Sequence, residues 1–319
     1  MIGFDIGGTK CAVCIGQEVD GGLRILDKRS IPTDHTISPY EMIDRMCDLA
    51  EEITDTIDCI GISCGGPLNS KTGVIQSPPN LPGWDDVEIV SYLEKKYRVK
   101  VYLQNDANAC AVAEWLYGAG KGYENMIFLT FGTGMGAGLI LNGQLYSGTN
   151  DMAGEIGHVR LSDHGPVGYG KAGSFEGFCS GGGLAQIGQM MAKEKLQMGE
   201  NVSYCAGMKC LQDITAKKIA ECANAGNEDA LAVYELCGKM LGRGLSILID
   251  VLNPECIVLG SVFQRSGHLL QTAMVDVINR ECLEASRSAC RVVPALLKEN
   301  IGDYAALAVA AMGGRNDVI

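Results

Sequence analysis

Residues 4–10 read Phe4-Asp5-Ile6-Gly7-Gly8-Thr9-Lys10, and residues 131–136 repeat the theme as Phe131-Gly132-Thr133-Gly134-Met135-Gly136. In each, an apolar run with the character of a buried strand stops at glycines and a threonine, and a second strand-like run follows. Glycine allows both a tight turn and close approach of the main chain, so that backbone N–H groups can face an anion. Thr9 and Thr133 add hydroxyl donors, Lys10 adds a point charge, and Asp5 can hold a magnesium ion through water. Either turn alone reads equally well as a hairpin corner. The matched pair points to two holders for the phosphates of one nucleoside triphosphate.

Working outward, residues 1–17 form two strands around the first turn, and a third, Leu23 to Ile31, follows Asp20-Gly21-Gly22. Apolar residues at helical spacing predict a helix from Ser38 to Ile57, then a buried strand Cys59 to Cys64 ending at Gly65-Gly66-Pro67. A helix from Val87 to Tyr97, a strand from Val99 to Leu103 and a helix from Ala107 to Tyr117 complete an α/β domain with a mixed sheet. Gly118-Ala119-Gly120-Lys121-Gly122 is the expected hinge. After it the pattern restarts: a strand Met126 to Phe131, the second glycine turn, a strand Leu139 to Leu141, an Asn142-Gly143 hairpin and a strand Gln144 to Tyr146. The second half thus opens like the first, which suggests an internal structural duplication. Residues 148–183 are glycine-rich and irregular, long enough to be read as a functional loop. Helices are expected at Gly183 to Leu196, Ile214 to Ala225, Asn227 to Leu252 and Ser266 to Glu284, a strand at Cys256 to Ser261, a last strand over 291–297 and a last helix from Ala305 to Met312.

Composition bounds the possible functions. The chain has 319 residues, 47% of them apolar and 20% charged, which is ordinary for a globular protein of about two domains. A net charge of −12 argues against general affinity for nucleic acid or anionic membrane. No run of 18 apolar residues and no secretory leader is seen, so the expected location is the cytoplasm. The fourteen cysteines are scattered through apolar segments and read as reduced, buried thiols. Cys11 and Cys14 have redox-motif spacing, but in a strand they point to opposite faces.

Other phosphate-binding patterns fit poorly. No segment supplies the G-x-x-x-x-G-K-[ST] loop. Gly132 to Ala137 matches a loose dinucleotide fingerprint, yet it leads into a strand and hairpin where that fold needs a helix. A base that could receive a proton from an acceptor hydroxyl is Asp106, in Leu103-Gln104-Asn105-Asp106-Ala107-Asn108, where a strand becomes a helix. The same position suits a helix N-cap, and the two roles are compatible.

With these residues in view, the sequence resembles the ROK family of sugar kinases and sugar-responsive repressors, within the actin-like ATPase superfamily. The resemblance rests on Asp5-Ile6-Gly7-Gly8-Thr9-Lys10, Gly65-Gly66-Pro67, Asn80-Leu81-Pro82-Gly83-Trp84, Asn105-Asp106-Ala107-Asn108, Gly132-Thr133-Gly134-Met135-Gly136 and Gly154-Glu155-Ile156-Gly157-His158. It implies two actin-like, ribonuclease H-like α/β domains with mixed sheets flanked by helices, residues 1–117 plus 300–319 and residues 118–299, with ATP and sugar in the cleft between them. It implies a hexose or N-acetylhexosamine kinase using ATP and magnesium, with Asp106 as base for the sugar's 6-hydroxyl. Asp5, Gly7, Gly8, Thr9, Lys10, Gly132, Thr133 and Gly134 would then meet the nucleotide phosphates or their magnesium, and Gly260 would lie near the adenosine. Gly66, Asn80, Asn105, Glu155, His158 and Glu176 would hold the sugar; read without the resemblance, Glu155 and Glu176 are also ordinary solvated loop charges. A homodimer is the family habit.

One departure stands out. The family's structural zinc is held by the histidine of Gly-His and three cysteines, and the corresponding positions here are Val167, Tyr169 and Ser174. One histidine cannot supply a closed zinc site, so no zinc is expected, with packing of Tyr169, Phe175 and Phe178 holding the loop instead. What then orients His158 is left open. The alternative is a sugar-binding regulator, or a sensor without catalysis. A regulator would be expected to carry a DNA-binding segment ahead of the phosphate turn, and Asp106 with both turns argues against a silent sensor.

Overall fold

The computed structural model describes residues 1–316. Its first strands are β1 (Ile2–Ile6), β2 (Lys10–Val19), β3 (Gly22–Pro32) and β4 (Cys59–Cys64), with helix α1 (Pro39–Ile53) between the last two. A small hairpin, β5 (Leu68–Asn69) and β6 (Val74–Ile75), leads to α2 (Ile89–Tyr97), β7 (Lys100–Asn105) and α3 (Asp106–Tyr117). Then come β8 (Met126–Leu129), β9 (Ala137–Leu141), β10 (Gln144–Leu145), the hairpin β11 (Val167–Gly168) and β12 (Lys171–Ala172), and helices α4 (Phe175–Phe178), α5 (Gly181–Gln197), α6 (Ala216–Asn224) and α7 (Glu228–Leu252). The chain closes with β13 (Cys256–Leu259), α8 (Val262–Glu281), α9 (Glu284–Ala289), β14 (Arg291–Pro294) and α10 (Ile301–Asn316).

Two five-stranded sheets carry the same order, β3-β2-β1-β4-β7 and β10-β9-β8-β13-β14, so the repeat suggested by the glycine turns is a repeat of topology. In the first, β1, β2 and β3 run antiparallel while β4 and β7 join in parallel, a mixed sheet as expected. The chain packs as two compact units: Met1–Phe128 with Gly138–Ala153 and Leu296–Ile319, and Leu129–Ala137 with Gly154–Ala295.

Local chemistry explains where the elements stop. Ser38 caps α1 through a capping box, its Oγ accepting from Glu41 N at 3.2 Å while Ser38 N donates to Glu41 Oε2 at 2.9 Å, with Pro39 in the first turn. α1 ends at Ile53 because Thr54 is extended, four residues short of the expected end. In the first unit Phe4, Ile6, Met42, Ile43, Met46, Ile60, Ile62 and Leu93 share one buried cluster. α10 lies against β1 and β4 at very short range: a Cβ on Gly61 would stand 2.1 Å from Ala306 O, and one on Gly3 would stand 2.9 Å from Ala306 Cβ. Only residues without side chains permit that approach. α8 starts directly after the β13 turn and kinks at Ser266 (φ −130°), the residue from which its periodicity reads as regular.

All fourteen cysteines are free thiols, and Cys11 and Cys14 pack into separate clusters. Among the described residues no helix is long and apolar enough to cross a membrane.

Candidate functional site

In the first unit the expected residues gather around the end of β1. The turn is closed by Gly7 N donating to Lys10 O at 3.2 Å, and Thr9 and Lys10 are exposed at its tip. Gly8 abuts the Asn80 loop so closely that a Cβ would meet Asn80 O at 2.3 Å. The neighbouring strand end supplies two more bare positions. Gly65 faces the Asn80 amide, and Gly66 faces Asn105 Nδ2, each 3.3 Å from where a Cβ would be. Glycine at these places lets two asparagine side chains converge beside the turn.

Asn105 ends β7 and caps α3, its Oδ1 accepting from Ala107 N at 2.9 Å and Asn108 N at 3.1 Å. The cap role therefore falls to Asn105, leaving its Nδ2 to face Gly66. Asp106 is the first helical residue; its Oδ1 accepts from Ala107 N at 2.8 Å and its side chain is reached by solvent. Protein around it pushes the carboxyl above the usual range, and the Ala107 bond pulls the other way. Burial, with Asp303 and Asp106 nearby, raises the Asp5 carboxyl from 3.8 to about 6 against the pull of Lys28 and Lys10. Asp303 is itself paired with Lys28 at 2.6 Å.

Residues that the sequence did not single out brace this turn from behind. Thr33 Oγ1 donates to Gly7 O at 2.5 Å and Thr33 N to Thr9 O at 3.0 Å, while His35 Nε2 lies 2.9 Å from Gly8 O. They follow β3, more than twenty positions along the chain, and only the β2–β3 ladder brings them back.

In the second unit Thr130 secures the other turn, with Gly136 N donating to Thr130 Oγ1 at 2.9 Å and Gly132 N to Gly134 O at 2.9 Å. Thr133 is exposed at the tip. Gly260 N donates to Leu129 O at 2.9 Å, and Ser261 beside it sits 3.5 Å from where a Gly132 Cβ would be. The start of α5 also reaches this turn, through Gly181 N to Gly132 O at 2.8 Å. The sequence puts this helix start at Gly183, whereas Ser180 caps a helix that begins at Gly181, and nothing in its spacing ties it to Gly132.

The Gly154-to-His158 segment runs along the same turn. Ala137 N donates to Gly154 O at 2.9 Å, and a Cβ on Gly157 would meet Met135 O at 2.1 Å and Glu176 Cβ at 3.3 Å. Glu155 and His158 are exposed. Glu176 is no free loop charge: its Oε2 accepts from Met135 N at 3.0 Å, joining α4 to the phosphate-type turn.

Tyr169 does not hold the loop: this side chain is 78% exposed, at the tip of the β11–β12 hairpin with φ +42°, next to Gly170 at φ +74°. A two-residue turn of that hand aims its side chains outward. Phe175 and Phe178 are buried as expected, and the Tyr169 ring stands edge-on to the His158 ring with centroids 6.4 Å apart. The donor set also does not fit zinc. Val167 offers no ligand atom, Tyr169 Oη belongs to an exposed ring, and Ser174 Oγ is committed to Gly168 O and Gly177 N. Among the described residues no three His, Cys, Asp or Glu side chains are placed to hold one metal ion together.

The turns offer nucleotide phosphates the exposed Thr9 and Thr133 hydroxyls and the Lys10 cation, and the Asp5 carboxylate is the hard oxygen donor magnesium prefers.

The ROK family profile matches residues 1–312. A glucokinase of Halalkalibacterium halodurans is 33% identical over 84% of this chain and 82% of its own. A xylose repressor of Caldicellulosiruptor bescii is 28% identical over 82% of this chain and 64% of its own. Among solved structures, a ROK family glucokinase from Streptomyces griseus in complex with glucose and AMPPNP superposes with a TM-score of 0.76 at 27% identity, covering 98% of this chain and 99% of that one.

Proposed function

We propose that this chain, which belongs to the ROK family, is an ATP-dependent kinase that phosphorylates a hexose or N-acetylhexosamine at its 6-hydroxyl. The observation that carries the reading is Asp106: a solvent-reached carboxylate at the carboxyl end of β7, where Asn105 is the helix cap and Asp106 Oδ1 shares the Ala107 N–H with it. That is the setting for a general base that takes the hydroxyl proton as the sugar oxygen attacks the terminal phosphorus and the bond to the leaving ADP breaks. Gly7, Gly8, Thr9, Lys10, Gly132, Thr133 and Gly134 would receive the phosphates, Gly260 would serve the adenosine, and Asp5 would hold the metal through water. Magnesium bound with ATP would neutralise charge on the phosphates. Gly66, Asn80, Asn105, Glu155, His158 and Glu176 hold the sugar, since carboxylates and amides accept from, or donate to, adjacent hydroxyls. The proposal includes functional domains of 1–117 with 300–319 and 118–299, a homodimer and a cytoplasmic location.

The deciding experiment is ADP release with magnesium-ATP across a panel of hexoses and N-acetylhexosamines, run beside Asp106→Asn. Turnover of at least one sugar is expected, with kcat in the variant lower by about a hundredfold to ten-thousandfold and sugar binding retained. The xylose repressor relative keeps a regulator or non-catalytic sensor as the second reading. Sugar binding by calorimetry with no ADP release from any sugar would favour it, and a wild-type rate in Asp106→Asn would remove Asp106 from the mechanism.

A further inference from the structure

The segment from His158 to Phe178 is closed by side chains, and the outermost clasp is Gln186. On the second turn of α5, its amide lines up with the main chain of Val167: Val167 N donates to Oε1 at 2.8 Å, and Nε2 donates to Val167 O at 2.9 Å. This copies one rung of a β-ladder on the free edge of β11. On the inner side, Gly168 O accepts from Ser174 Oγ at 3.4 Å, and the same hydroxyl caps α4 by accepting from Gly177 N at 3.0 Å. A Cβ on Gly168 would stand only 2.5 Å from Gly177 N, so β11 rests directly on the helix. Lys171 Nζ donates to His158 O at 2.8 Å and Arg160 Nη1 to Ala172 O at 2.7 Å, tying the same hairpin to the segment that carries His158.

α4 has four residues, too short to hold its own helical geometry in water. Its placement comes from what it leans on. The contacts run in one line: α5 through Gln186 to β11, β11 through Ser174 to α4, and α4 through Glu176 Oε2 to Met135 N. A planar amide suits the first link, because one donor and one acceptor engage the two main-chain atoms of a single residue.

We propose that Gln186 is a positioning residue: its amide clamps Val167 and thereby sets α4 so that Glu176 bridges the Gly132–Gly136 turn and the bound sugar. The clamp holds this loop where three of the four zinc-ligand positions, Val167, Tyr169 and Ser174, carry neither cysteine nor histidine. The sugar half of the proposal rests on the kinase reading; the clamp half does not.

The test compares whole wild-type protein with Gln186→Ala and Gln186→Glu by hydrogen–deuterium exchange, thermal melting and steady-state kinetics with glucose. In Gln186→Ala, exchange at Val167 and at Met135 should rise about tenfold, and KM for glucose should rise about fivefold to tenfold with KM for ATP within twofold. Gln186→Glu keeps the acceptor for Val167 N and should fall between at Val167. Unchanged exchange at Val167 overturns the clamp. Faster exchange at Val167 with Met135 unchanged, or with glucose KM unchanged, overturns the positioning role, as does an equal rise in both KM values with a large fall in Tm. One zinc per chain in metal analysis of the purified protein also overturns it. If wild type turns over no glucose, the kinase reading for that sugar fails, while the Val167 and Met135 amides still decide the clamp.

Discussion

Asp5 is an expensive residue in the physical sense: a carboxylate on a central strand, with two further carboxylates near it. Its carboxyl is held at about 6 against an ordinary 3.8, so the folded protein favours the protonated form. The sign follows from linkage: this stabilisation is complete below the unfolded value and is lost as pH rises through about 6, leaving a burdened fold at neutral pH. The interval corresponds to about 3 kcal/mol between the two protonation states. Asp5→Asn should therefore raise Tm at pH 8 and lose most of that gain by pH 4, while abolishing phosphoryl transfer. Melts at the two pH values check it, and a gain independent of pH would sink it. Retention of so unfavourable a group is itself an argument that the carboxylate is used, which agrees with the role proposed for it beside the phosphate turn.

The elements around that turn divide into those that announce themselves and those that do not. Thr33, just past β3, makes two hydrogen bonds to the turn backbone, at Gly7 O and Thr9 O. Thr33→Val keeps the β-branched shape and removes only the hydroxyl, so KM for ATP should rise about threefold to tenfold; an unchanged KM for ATP would show that the turn needs no such support. The two glycine turns, the β7–α3 junction and the capped start of α1 were legible because each is written in contiguous residues whose chemistry is local. Thr33, His35 and the start of α5 were not, because their roles exist only once a strand ladder or a loop packing brings them to Gly7, Gly8 and Gly132. Tyr169 misled for a related reason. An aromatic in an otherwise small-residue loop reads as core, yet the Tyr169-Gly170 pair takes the positive φ of a hairpin tip, which turns the ring out. Asp106 shows the middle case: its neighbourhood marked a strand-to-helix junction, but only the geometry separates the cap at Asn105 from the carboxylate beside it.

At the scale of the whole chain, the path that leaves α3 and the path that returns before α10 meet at one buried side chain. Glu114 is fully buried; its Oε2 accepts from Ala119 N at 2.7 Å and Leu296 N at 3.2 Å, and its Oε1 accepts from Leu297 N at 2.8 Å. Gly118 is bare where this carboxylate passes, since a Cβ there would stand 2.1 Å from Glu114 Oε2. The expected hinge at 118–122 thus begins in a fixed anchor, and any bending must lie beyond Ala119. One buried carboxylate accepts from three main-chain donors in half-buried to exposed positions, where water can replace part of what is lost, so the cost per donor lies toward the lower end of about 1–3 kcal/mol. Against a total stability of about 5–15 kcal/mol, Glu114→Ala should remove a measurable share of the stability. Glu114→Gln retains one oxygen acceptor and should lose less, with its NH2 facing the donors it replaces. Urea denaturation followed by circular dichroism should rank the midpoints wild type, Gln, Ala. A Glu114→Ala midpoint equal to wild type would mean that the outgoing and returning segments are held by their own packing, and that the Glu114 carboxylate is incidental to the way residues 296–316 rejoin the first sheet.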